Sequence, residues 1–181
     1  QLDLPKVEPG LQGIWQKRNT QTAVAAIKSL GGLGFNISGS HIHTGIKNTI
    51  SNTRVLGRWQ ILNEKPLAIC DIGHNREGIG ELLKQISLTP HKKLHFVLGM
   101  VADKNVDPVL QLLPKNAIYY FCKADIPRGL DVAELKIKAS QFSLHGESYP
   151  SVSEAYQRAL ENANTDDLVF VGGSTFVVAE I

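Results

Sequence analysis

Cysteine is nearly absent from this chain of 181 residues. The two present, Cys70 and Cys122, each sit at the end of an apolar, strand-like run. A small buried thiol is the common occupant of such a place, so no disulfide framework is implied and a reducing, cytoplasmic setting is expected. Long apolar runs are missing too. None approaches the ~20 residues of a membrane-spanning helix, and the opening QLDLPKVEPG has neither the basic flank nor the apolar stretch of a signal peptide. No sign of charge dominates: the formal net charge is +2 and Lys and Arg are scattered, which leaves neither a nucleic-acid face nor a membrane patch. No internal repeat or low-complexity tract occurs. Two nucleotide motifs are also lacking, since DIGHNREG at Asp71–Gly78 does not supply G-x-G-x-x-G and no G-x-x-x-x-G-K-[ST] exists anywhere. An autonomous nucleotide site is therefore not expected.

What is present is a core and a rhythm. A hydrophobic share of 43% suffices to build a real interior. From Arg58 onward, apolar runs at Leu67–Cys70, Leu94–Leu98, Ala117–Cys122 and Leu168–Val171 have strand length and no helical period, as in a parallel sheet covered on both faces. Helical spacing lies between them. Ile79, Leu82, Leu83 and Ile86 fall at i, i+3, i+4, i+7, and Val106, Val109, Leu110 and Leu113 repeat the pattern with Pro108 in the first turn. Asp131 with Glu134, and Ser151 with Glu154, have capping-box spacing and open two further helices. Gln60–Asn63 adds a short antiparallel edge strand and Glu147–Ser148 a weak one. The expectation is a Rossmann-like, doubly wound α/β unit, with a mostly parallel sheet of about six strands and helices on both faces.

Residues 1–57 break this rhythm. Thr20–Leu30 reads as one helix stopped by Gly31–Gly32, Ser40–Lys47 as a shorter one, and NTISNTRVLGR as a polar, turn-rich link. The boundary is expected near Ser51–Thr53, giving a short helical segment from a preceding domain (1–52) and an α/β domain (53–181). With an abrupt opening, and a final STFVVAEI that stops inside an expected helix, the chain reads as a piece of a longer protein.

Ligands of open parallel sheets bind beyond the carboxyl ends of the strands. Those ends carry Asp71-Ile72-Gly73-His74-Asn75, then Gly99 to Asn105, Ala124 to Gly129, and Gly172-Gly173-Ser174. Each has a plain capping explanation: Asn75 and Ser174 as helix N-caps, Asp103 and Asn105 as turn and cap residues. His41 and His43 lie two apart but have no third ligand near them in sequence, so no metal is expected there.

Four stretches, taken in order, carry a resemblance: GIWQKRNTQTAVAA at Gly13–Ala26, GRWQ at Gly57–Gln60, ICDIGHNREGI at Ile69–Ile79 and VGGSTFVVAE at Val171–Glu180. The chain resembles the C-terminal part of folylpolyglutamate synthase/dihydrofolate synthase, in the ATP-dependent Mur ligase superfamily. DIGHNREG is this chain's version of that family's D-G-A-H-N-P, with Gly73 where the family has Ala and Arg76 where it has Pro. The resemblance implies a ligase that phosphorylates a carboxylate of a folate or dihydropteroate with ATP and Mg2+, after which the amine of L-glutamate attacks the acyl phosphate. It further implies that Arg58 reaches the ATP phosphates, Asp71 the ribose or the domain junction, and Asn19 the neighbourhood of the adenine. His74 and Ser174 are implied at the glutamate pocket, with Arg58 and His74 as the catalytic pair.

The P-loop, the magnesium ligands and most of the folate site would then belong to an N-terminal ATPase domain absent here. The chain alone is expected to be inactive, to bind no cofactor tightly, to be monomeric, and to touch neither nucleic acid nor membrane. Residues 1–50 are expected to be mobile without the ATPase core. Two other readings stand beside this one. An amino-acid-adding ligase of peptidoglycan synthesis shares the Asp-x-x-His-Asn region and the arginine, although GRWQ before an edge strand and GGS before the last helix favour the folate branch. A non-catalytic α/β module binding a small anion or a protein would need only the capping role of every residue named.

Overall fold

A computed structural model of the chain describes residues 7–102 and 105–181; Gln1–Lys6 of the opening stretch, and Asp103 with its expected turn role, lie outside the described residues. The chain divides into two compact units, Gln1–Arg58 and Trp59–Ile181.

The first unit is helical. Helix α1 (Gln16–Gly31) begins before Thr20, with Trp15 at its N-cap and no side-chain cap bond. Helix α2 (Gly39–Lys47) opens with a capping box in which the Ser38 side chain accepts from His41 N–H and the His41 ring accepts from Ser38 N–H. This local bonding explains His41 without a metal. The expected link is instead a short helix, α3 (Thr49–Thr53), closed by Arg54 in the left-handed region at φ 54°. The units part at Arg58, a few residues beyond the expected 52/53 boundary, which falls inside α3.

The second unit is a six-stranded sheet with strands β1 (Gln60–Glu64), β2 (Leu67–Cys70), β3 (Leu94–Leu98), β4 (Ile118–Phe121), β5 (Gly146–Ser148) and β6 (Leu168–Gly172), in the order β1-β2-β6-β3-β4-β5. Only β1 runs antiparallel, at the edge, with Gln60 opposite Cys70 and a register shift between Ile61 and Asn63. The connecting helices are α4 (Arg76–Leu88), α5 (Asp107–Leu110), α6 (Val132–Gln141) and α7 (Val152–Asn162), and the short α8 (Thr175–Val178) follows β6.

Period-two alternation divides the core. Ala68, Cys70, Val97, Tyr120, Cys122, Val169 and Val171 pack in one cluster with Val152, Ala155 and Ala159 of α7 and Val177 of α8. On the other face Phe96 meets Phe170 edge-on at 5.0 Å and stacks on Tyr119 at 5.7 Å. Helices α4, α5 and α6 follow one another in contact on that side. Helices thus cover both faces, as the uninterrupted apolar strands demand. Both cysteines are free and buried. Burial, with Asp71 near Cys70 and Glu180 near Cys122, pushes both thiols up to about 12, which leaves them protonated and inert.

A buried polar chain spans the opposite end of the sheet from the strand carboxyl ends. His95 Nδ1 lies 2.9 Å from Tyr120 Oη, which accepts from Asn162 Nδ2 at 3.2 Å. His95 Nε2 stands 3.4 Å from Asp167 Oδ2, an ion-pair distance without hydrogen-bond geometry. Asp167 accepts in turn from the N–H groups of Lys93 and Asn164 and from the Asn164 amide. Burial lowers the His95 pKa and outweighs the pull of Asp167. For Asp167, burial pushes upward, but the Asn164 and Lys93 donors, with the His95 ring beside it, together hold it below the usual carboxylate range.

A histidine kept neutral in the folded state costs stability once the unfolded chain takes up a proton, below about pH 6.5. Urea unfolding midpoints measured from pH 7.5 to 5.5 are therefore expected to fall as pH drops, and His95→Gln, whatever its stability at pH 7.5, to lose that slope. The Asp167 contribution, present above its unfolded pKa, is lost only at lower pH, beneath about 4.

Candidate functional site

The strand order places the carboxyl ends of β2, β6 and β3 side by side. The chain leaves β2 and β3 toward α4 and α5 on one face, and leaves β6 toward α8 on the other. Loops that part in this way open a crevice, the switch point of a doubly wound sheet.

Asp71 ends β2 and is 3% exposed. A buried carboxylate must be satisfied by donors, and it is: Oδ2 accepts from Trp59 N–H and Oδ1 from Gly73 N–H, both at 2.8 Å. Trp59 holds the left-handed conformation at φ 47°, unusual for a bulky side chain, and its ring packs on Phe170 at 6.1 Å. One carboxylate thus fixes both the entry to β1 and the loop after β2. Gly73 serves close packing, since a Cβ there would stand 2.6 Å from Leu82 Cδ1 of α4. The alanine found in the related motif would require that methyl group to shift.

His74 follows, exposed, with Nδ1 3.0 Å from the Ile72 carbonyl oxygen. A carbonyl only accepts, so the ring hydrogen sits on Nδ1, and Nε2 of the neutral ring remains an acceptor. Asn75 is the N-cap of α4, accepting from Gly78 N–H at 2.7 Å. Ser174 is buried and caps α8 through Phe176 N–H at 3.1 Å. Its neighbour Gly173 has φ 96°, and a Cβ there would meet Gly99 O at 2.6 Å, so the β6 and β3 loops touch because that residue is glycine.

A cleft of about 210 Å³ lies at this junction. His74, Asn75 and Arg76 line it together with Gly173 and Asn105, and Met100, Val101, Val106 and Val109 supply an apolar wall. His74 therefore lines the cleft, Asp71 braces its loop from behind, and Ser174 stands next to Gly173 without lining it. Asn105 accepts from Asp107 N–H, the turn role expected of it. Arg58 and Asn19 belong to the first unit: Arg58 is exposed and immediately precedes the anchored Trp59, and Asn19, also exposed, donates to Gln16 Oε1 at 3.1 Å.

The apolar wall and Trp59 are the parts that motif reading missed. Position after β3 pointed to the wall, and a bulky residue before an edge strand pointed to Trp59. A larger opening of about 590 Å³ lies farther along the sheet edge, but Lys123, Asp125 and Glu180 mix their charges there, and Asp125 N–H already bonds Glu180. Among the described residues, no group of three His, Cys, Asp or Glu side chains could hold a metal ion. No helix among them is long and apolar enough to cross a membrane.

A switch-point cleft behind a D-x-x-H-N loop defines the class: the chain belongs to the Mur ligase glutamate ligase domain family, whose model matches residues 57–175. Within that family it is similar to the C-terminal domain of folylpolyglutamate synthase/dihydrofolate synthase. It is 32% identical over 174 residues to the probable bifunctional folylpolyglutamate synthase/dihydropteroate synthase of Haloferax volcanii, covering 94% of this chain and 20% of that protein. To the dihydrofolate synthase/folylpolyglutamate synthase of Escherichia coli K12 it is 30% identical, covering 90% of this chain and 36% of the relative. The solved structure of E. coli FolC in complex with DHPP and ADP superposes with a TM-score of 0.79 at 28% identity, over 99% of this chain and 40% of that one. The chain thus spans between a fifth and two fifths of the length of these proteins.

Replacing Asp71 by Asn would keep one acceptor oxygen and turn an amide donor toward a backbone N–H. Asp71→Asn is expected to lower unfolding free energy by roughly 1.5–3 kcal/mol, the range for a bond to a charged acceptor. Chemical denaturation checks this; an unchanged midpoint would remove the brace from the account.

Proposed function

We propose that the chain is the C-terminal glutamate-ligase portion of an ATP-dependent enzyme that adds L-glutamate to folate, and also to dihydropteroate, through an acyl phosphate. The observation that carries this reading is the placement of His74, on a loop braced by Asp71, along the wall of the switch-point cleft. ADP and DHPP in the E. coli relative support the substrate classes.

In this reading the cleft receives glutamate. Nε2 of His74 accepts from the incoming amine and orients it, and the apolar wall of Met100, Val106 and Val109 keeps water from the acyl phosphate. Ser174 acts by fixing the Gly173 turn through its cap. Arg58 supplies a planar cation for the transferring phosphoryl group, and Asn19 lies near the adenine. Asp71 serves the nucleotide through the Trp59 strap it holds, rather than with an open carboxylate. Magnesium bound with ATP would neutralise phosphate charge, and among the described residues no group of three His, Cys, Asp or Glu side chains would hold it.

Residues 1–52 form the tail of the central ATPase domain. The exposed Leu33 and Phe35 fit such a role, because an ATPase core would cover them. The protein works as a cytoplasmic monomer on small molecules.

Two measurements test the proposal. The purified chain is expected to hydrolyse no ATP, because phosphoryl transfer needs a phosphate cradle it lacks; turnover above background would overturn that. In the full-length protein, His74→Asn is expected to raise the KM for glutamate or lower kcat, with ATP affinity and melting temperature nearly unchanged, since the ring is exposed and bonded only locally. Ligation of alanine or diaminopimelate in preference to glutamate would favour the peptidoglycan branch. A His74 variant that loses stability but keeps its glutamate kinetics would return this residue to a structural role.

A further inference from the structure

Arg76 is misplaced by the rules of its own helix. It occupies the first position of α4, where the positive end of the helix dipole disfavours a cation. Among the described residues its guanidinium enters no ion pair, unlike Lys84, Lys92, Lys136, Lys138 and Arg158. Glu77, its acidic neighbour, is one position on, and residues so spaced do not face each other on a helix. A residue that breaks a local rule without compensation is best explained by what it does for function. What Arg76 does do is line the cleft beside His74, facing a wall of Met100, Val106 and Val109. A fork of donors against apolar surface holds a carboxylate far better than the same group in open water.

We propose that Arg76 is a specificity-determining residue that binds a glutamyl carboxylate in the His74 cleft. The inference rests on the ligase reading above and names a contact which that reading does not need. Two sources share this chemistry. One is the side-chain carboxylate of the incoming glutamate. The other is the α-carboxylate of a folate acceptor's terminal glutamyl group, which dihydropteroate lacks.

The fold permits a clean test. Asn75, extended at φ −112° and ψ 168°, is in the conformation that a following proline requires, and the first helical position tolerates proline. Arg76→Pro and Arg76→Gln should therefore both keep α4. Steady-state kinetics of the full-length ligase would vary glutamate, a glutamylated folate, dihydropteroate and ATP in turn, beside thermal melts. Both variants are expected to raise the KM for glutamate, or for the glutamylated folate but not dihydropteroate, by about tenfold or more, as for loss of a charged hydrogen bond. The KM for ATP and the melting temperature stay as in wild type. Arg76→Lys is expected to recover only part of the affinity, since it keeps charge without the fork.

Wild-type constants for glutamate and both acceptors in Arg76→Gln and Arg76→Pro would overturn the inference and leave the ligase reading intact. A rise in every constant alike, ATP included, would mark distortion of the loop and overturn it too. A wild-type protein that ligates no glutamate at all would sink the ligase reading itself.

Discussion

The carboxylate of Asp71, accepting Trp59 N–H on one oxygen and Gly73 N–H on the other, is the interaction on which the site depends. Buried at the end of β2, it would be costly if unpaired, and those two donors offset that cost. In exchange it ties a strained residue at the entry to the edge strand to the loop that carries His74. The cleft wall is shaped by the same logic on the neighbouring strand. There Ser174 caps α8, and Gly173 turns in a conformation that a side chain would obstruct, bringing the β6 loop against Gly99.

Capping and function are therefore not rival explanations at this junction. Asn75 and Ser174 do cap helices, and by doing so they fix the loop ends from which the cleft is built. His74 differs from both, because its ring caps nothing and its second nitrogen stays available. Tying the supporting residues to backbone groups leaves the exposed His74 on a frame that cannot easily drift.

Much of the frame was legible in the sequence because apolar runs of strand length have few alternatives. Leu67–Cys70 and Leu94–Leu98 are strands to the residue, and Asp131 and Ser151 cap the helices they were expected to open. Periodicity overreached at one place: Val106 to Leu113 have helical spacing, yet α5 covers only Asp107–Leu110, and the chain beyond it tightens into turns in which Leu112 and Leu113 N–H bond the carbonyls three residues back, before Pro114. The stretch from Thr49 to Thr53 is helical despite poor propensity, its Thr49 and Thr53 hydroxyls turned back onto carbonyls of the preceding turn. The start of α1 was invisible, since no side-chain cap bond marks it at Trp15. At the site, the polar residues could be found by their position after strands. The brace to Trp59 could not, because twelve residues separate Trp59 from Asp71 and nothing local links them.

Native-state hydrogen exchange tests the central claim most directly, resolved at the amides of Trp59 and Gly73. If one buried carboxylate holds both, each amide should exchange as slowly as those of β2 and the two should open together, since releasing either takes a donor from a buried charge. Exchange of either amide at the rate of an open loop, while β2 stays protected, would contradict the account.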